Sequence, residues 1–166
     1  NIPGDKLKHD SDRFAEILEV AAEYGMLNNI ELGLIVKKNN YQFVGYDGTQ
    51  WTEIPEQDWQ ANVTLPEEIE LSIELDDLPI EEPMLFDADT FTEKDEDDFT
   101  LLSKEEREKK IIPQVYILSG GDLSPFSVTF RLTKELAYIE DAEDLAYRVT
   151  GLYSVPLVIE GPVLDD

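Results

Sequence analysis

The 166 residues suit one domain, and 42% hydrophobic with 31% charged residues is an ordinary globular composition. The charge is extreme: 38 Asp and Glu against 13 Lys and Arg give a net charge of −25, a surface that repels nucleic acid phosphates and anionic lipid headgroups. With no cysteine, a disulfide, a thiolate nucleophile and a Cys-based zinc site are all excluded.

Apolar runs are only a few residues long, so these residues contain no transmembrane helix or signal peptide. The start, Asn1-Ile2-Pro3-Gly4, lacks an initiator Met, and we read the chain as an excised fragment, which leaves room for a membrane anchor cut away. Pro3-Gly4 argues against an unbroken helix upstream. Residues 11–25 carry the clearest helical period. Phe14, Ile17, Leu18, Ala21, Ala22 and Gly25 form one apolar stripe, and Leu7 falls on its extension. Ser11 or Asp10 is the candidate cap, and Asn28-Asn29 ends the helix.

Strands follow. Ile30, Leu32, Leu34 and Val36 alternate with Glu31, Gly33 and Ile35. Asn39-Asn40 turns the chain into a strand over Tyr41–Tyr46, and Asp47-Gly48 turns it again into Gln50–Ile54, which is the pattern of an antiparallel meander. Glu68–Leu75 alternates Ile69, Leu71, Ile73 and Leu75 with polar residues, one face for a core and one for solvent. Residues 67–98 then hold 15 of the 38 acids and one base, Lys94. This predicts an exposed, mobile acidic excursion over 76–110, with a short helix near Ser103–Lys110 opened by a Ser103/Glu106 capping box. Order resumes with a strand at Gln114–Leu118, a turn at Ser119-Gly120-Gly121-Asp122 and a return strand over Pro125–Leu132. The tail supplies strands near Ala146–Leu152 and Val155–Ile159. The expected fold is α+β: one N-terminal helix laid by Phe14, Ile17, Leu18 and Ala21 onto antiparallel sheets, in a single domain over 1–166.

Residues that could carry chemistry are few. His9, the only histidine, sits in a polar segment beside Asp10 and reads as a surface residue. No Ser-His arrangement is credible, so no catalytic residue is assigned. Asp87, Asp89, Glu93 and Asp95–Asp98 could chelate Ca²⁺ but lack the glycine of an EF-hand loop; a solvated loop is expected, and neither a metal site nor a cofactor is assigned. Ser119-Gly120-Gly121-Asp122 lacks the lysine and helix of a phosphate loop and reads as a turn. Trp51 and Trp59 read as core or sheet-covering residues.

Three segments together resemble the H-type minor pseudopilins of type II secretion. They are Ile30-Glu31-Leu32-Gly33-Leu34-Ile35-Val36 after an amphipathic helix, Tyr41-Gln42-Phe43-Val44 leading through Asp47-Gly48 to Trp51, and the late hairpin Ile117-Leu118-Ser119-Gly120-Gly121-Asp122-Leu123-Ser124-Pro125-Phe126-Ser127-Val128. The resemblance covers roughly residues 11–132. It implies a pilin-like fold and an N-terminus cleaved and methylated by a prepilin peptidase. It also implies an inner-membrane anchor ahead of these residues and a periplasmic domain in a Gram-negative cell. The implied role is structural: a subunit of a short pseudopilus, linking the tip subunits to the major pseudopilin during export of folded proteins. The implied partners are other pseudopilins, with no nucleic acid, and the soluble domain is expected to be monomeric. A competing reading from charge alone is an acidic protein-binding module, such as a DNA-mimic inhibitor; clustering of the acids in one stretch argues against it.

Overall fold

The computed structural model describes residues 2–75, 78–80, 112–139 and 145–164. Helix α1 runs Ile2–Asn28. It includes Pro3 and Gly4. Its far end closes on Asn29 in the left-handed conformation, φ 54. The Ile30 and Asn29 amides turn back to the carbonyls of Gly25 and Met26, at 2.8 and 3.4 Å. That pairing satisfies carbonyls a helix end would otherwise leave open.

Strands β1 (Leu32–Val36), β2 (Asn40–Tyr46), β3 (Trp51–Glu53) and β4 (Asn62–Thr64) follow, then β5 (Ile69–Leu75) and β6 (Leu78–Ile80). After 111 come β7 (Val115–Ile117), β8 (Phe126–Leu132), a short helix α2 (Lys134–Ile139), β9 (Leu145–Gly151) and β10 (Val158–Leu164). Among the described residues these strands make two antiparallel sheets. The first is ordered β3-β2-β1-β7, with β4 also on β2; the second is ordered β10-β9-β8-β5-β6. The chain is α+β, with α1 against β8, β9 and β10 of the second sheet and against β1 of the first.

The crossing between sheets is tied by Asn39, whose side-chain amide donates to the carbonyls of Pro66 and Ile69 at 3.0 and 2.9 Å. Leu71 N–H donates to the Lys38 carbonyl at 2.7 Å, so the β1–β2 turn holds the start of β5. β1 is buried along all five residues, not on alternate ones as its sequence suggests. A Cβ on Gly33 would overlap Pro113 and crowd Trp51, so glycine is what lets these two rings close over the outer face of β1.

Leu78–Ile80 pairs with β5, so the predicted excursion begins as a strand. The rest of it, including the candidate helix at Ser103–Lys110 and the acids of 87–98, lies outside the described residues.

Candidate functional site

The most developed constellation is the seam between α1 and the sheets. Along α1, Leu7, Asp10, Ser11, Phe14, Ala15, Leu18, Ala21, Ala22 and Gly25 are buried, a stripe at helical spacing. Of the four residues expected to face the sheets, Phe14, Leu18 and Ala21 have no exposed surface. Ile17 is half-buried at the flank, packed against the core. Phe14 is the hub. Its ring meets Tyr41 of the first sheet edge-on at 4.9 Å, and Phe130 and Phe126 of the second at 5.7 and 6.4 Å. One side chain thus joins helix and both sheets, and burying a ring of this size is worth about 1.5–3 kcal/mol. Ala21, Ala22 and Gly25 keep the last turns close; a Cβ on Gly25 would stand 2.8 Å from the Ile30 carbonyl oxygen.

Asp10 and Ser11 are not caps. They lie mid-helix on the buried stripe, and Ser11 Oγ donates to the Lys8 carbonyl at 2.9 Å. Burial pushes the Asp10 carboxyl above the usual carboxylate range; His9 and Arg13 oppose this and Glu68 adds to it. Tyr41 is fully buried and its hydroxyl has no hydrogen-bond partner among the described residues. Burial raises its pKa well above the ordinary phenol value. Sequence reading missed this pair. The signal was available for Asp10, which falls between Leu7 and Phe14 in the apolar period; none was available for Tyr41.

Two further polar clamps position β7 and the turn that follows it. Gln114 Oε1 accepts from the Val36 amide at 2.6 Å and its Nε2 donates to the Val36 carbonyl at 3.1 Å, extending the β1–β7 ladder by a side chain. The Glu31 carboxylate accepts from the Ser119 amide and hydroxyl at 3.0 and 2.5 Å. Ser119-Gly120-Gly121-Asp122 is therefore a turn pinned by an acid, with Gly121 at φ 100, and not an anion cradle.

His9 is exposed and borders a shallow recess with Asp5, Lys6, Asp10 and Pro66. A second, open recess of mixed charge is lined by Lys38, Glu68, Glu70 and Lys134 among others. Among the described residues no group of three or more His, Asp or Glu is placed to hold a metal ion, and no helix is long and apolar enough to cross a membrane. Trp59 packs edge-on to Tyr24 and Phe43 inside the first sheet, whereas Trp51 lies between Tyr46 and Tyr116 on its outer face.

No protein-family model matches the chain. It is similar to type II secretion system protein H of Pseudomonas aeruginosa, 31% identical over 124 residues, covering 73% of this chain and 60% of that protein. It is also similar to type II secretion system protein H of Aeromonas hydrophila, 30% identical over 129 residues, covering 76% of this chain and 63% of that protein. The matched part is thus less than two thirds of these relatives' length. Among solved structures, the minor pseudopilin EpsH of the Vibrio cholerae type 2 secretion system superposes with a TM-score of 0.66 at 19% identity, covering 97% of this chain and 99% of that one. The solution structure of E. coli GspH superposes with a TM-score of 0.61 at 14% identity, covering 98% and 92%. At these identities the structural likeness is one of fold.

Proposed function

The chain belongs to the H-type minor pseudopilins of type II secretion, and from that premise we propose that it works as a structural subunit of the pseudopilus, joining the tip subunits to the major pseudopilin. The observation that carries the reading is α1. Its one apolar stripe is spent entirely on its own two sheets through Phe14, Leu18 and Ala21, so the helix serves as the spine of the domain. In the full-length protein the same helix would continue, upstream of these residues, into an inner-membrane anchor, leaving the domain in the periplasm. Association with neighbouring subunits would then come mainly from apolar packing of the shared N-terminal helices. The domain itself, at a net charge of −25, would stay monomeric in dilute solution. Such a role requires binding and no turnover.

Deleting the gene in the host bacterium tests this. Type II substrates should accumulate in the periplasm while export across the inner membrane continues. Normal secretion from the deletion strain would overturn the reading. So would a hydrolytic activity of the purified domain that disappears on changing one carboxylate.

A further inference from the structure

We propose that the end of the molecule at the C-terminus of α1 is a docking surface for a different protein domain, one that presents an apolar patch edged with Lys or Arg. Three segments meet there: the last turn of α1, the β7–β8 turn and the β9–β10 loop. The Met26 methyl lies 3.5 Å from where a Cβ on Gly121 would stand. Leu123 N–H donates to the Tyr153 carbonyl at 2.9 Å, tying the second segment to the third. On these segments Leu27 is 76% exposed and Tyr153 70%, with Met26, Leu118 and Leu152 about half exposed. Single exposed apolar side chains are common on any surface; five on adjoining turns form a patch of the kind proteins use for partners.

Charge selects the occupant. Residues 14–36, 111–130 and 149–166 contain no Lys or Arg, so these three segments bring no cation to this end. Glu23 and Asp122 are exposed on the same turns. A partner therefore supplies the positive charge. A second copy of this chain fits poorly. A two-fold contact would set these acids against themselves. A head-to-tail contact would meet the far end of α1, where Glu67, Glu68, Glu70 and Glu135 stand among Lys6, Lys38 and Lys134, so the charge it offers is mixed rather than positive.

The proposal rests on the pseudopilus reading and gives one of its contacts a place. Its test uses the full-length protein returned to the deletion strain in three forms. Leu27→Gln with Tyr153→Gln removes the apolar contact; Glu23→Lys with Asp122→Lys reverses the rim; Lys8→Glu alters the other end. The first two should lower secretion about tenfold, the effect of losing roughly 1.4 kcal/mol of binding, with the subunit level and the melting of the soluble domain unchanged. Lys8→Glu should restore secretion fully. A photocrosslinking residue at position 27 should trap a protein other than this one. Normal secretion by both patch variants, where deletion blocks secretion, overturns the docking surface and leaves the pseudopilus reading standing. An adduct of the chain with itself overturns the choice of occupant. Normal secretion in the deletion strain overturns the parent reading and this contact with it.

Discussion

Tyr41 and Asp10 are polar groups in a seam otherwise made of rings and aliphatic side chains. Tyr41 contributes its ring to Phe14 and Phe43 but leaves its hydroxyl, in the interior, without a partner among the described residues. An unmet buried donor costs about 1–3 kcal/mol. Tyr41→Phe keeps the ring contacts and removes that cost, so it should be neutral or stabilise the domain by about 1 kcal/mol in urea melts; a loss of stability would mean that the hydroxyl has a partner. Asp10 adds a pH dependence of known sign. Burial raises its folded pKa, against the influence of His9, Arg13 and Lys6 and with that of Glu68. The folded chain then holds the proton to higher pH than the unfolded chain does. The resulting stabilisation is complete below the unfolded pKa and is lost as pH rises through the folded one. Asp10→Asn should therefore exceed wild type at pH 7 by on the order of 1 kcal/mol, the scale of one poorly solvated buried polar group. The difference should close when the melts are repeated below the ordinary carboxylate range. A gap that ignores pH would show that the carboxyl is not its source.

At the scale of elements, α1 holds the two sheets through one stripe, so a charge placed on that stripe has no local remedy. Leu18→Asp should cost about 3–5 kcal/mol in denaturant or thermal melts, through lost burial and an unpaired interior charge. A melt like wild type would mean that this face does not carry the packing. Six of the nine buried positions, Leu7, Phe14, Leu18, Ala21, Ala22 and Gly25, were legible as one apolar period, and the β2–β3 hairpin was legible because Asp47-Gly48 marks its turn. Gly120-Gly121 marks a turn too, but the expected return strand does not run back along β7: β7 pairs with β1 in the first sheet, and β8 with β5 and β9 in the second. Other elements were not, for identifiable reasons. β4 is three residues with only Val63 buried, too short to show alternation, and β6 contains Pro79. α2 has six residues and no full apolar period of its own. β10 was expected over Val155–Ile159 but runs Val158–Leu164 through Gly161-Pro162. It sits at the sheet edge, where proline is tolerated, and its register with β9 shifts between Glu160 and Val163. The clamp of Ser119 by Glu31 joins residues 88 apart in sequence and left no local trace.

For the molecule as a whole, electrostatics oppose compaction. At a net charge of −25 the folded chain concentrates like charge on its surface, and the self-repulsion works against the folded state. The ion pairs Lys6–Glu68, Lys8–Asp12 and Lys38–Glu70 act in the other direction, but all are solvent-accessible, and pairs of that kind contribute about 0–1 kcal/mol each. Salt screens both effects. The screening length falls to about 10 Å at 0.1 M, short enough to weaken repulsion between acids on different elements while each pair loses little. Repulsion should be the larger loss, so added NaCl should raise the melting temperature at neutral pH, by roughly 2–4 °C for each kcal/mol of repulsion relieved in a chain of this size. Monovalent salt at fixed pH, followed by far-UV circular dichroism, isolates the effect from carboxylate titration. A melting temperature that falls with salt would mean that the ion pairs outweigh the excess of acids, and the expectation that copies of this domain repel one another would lose its basis.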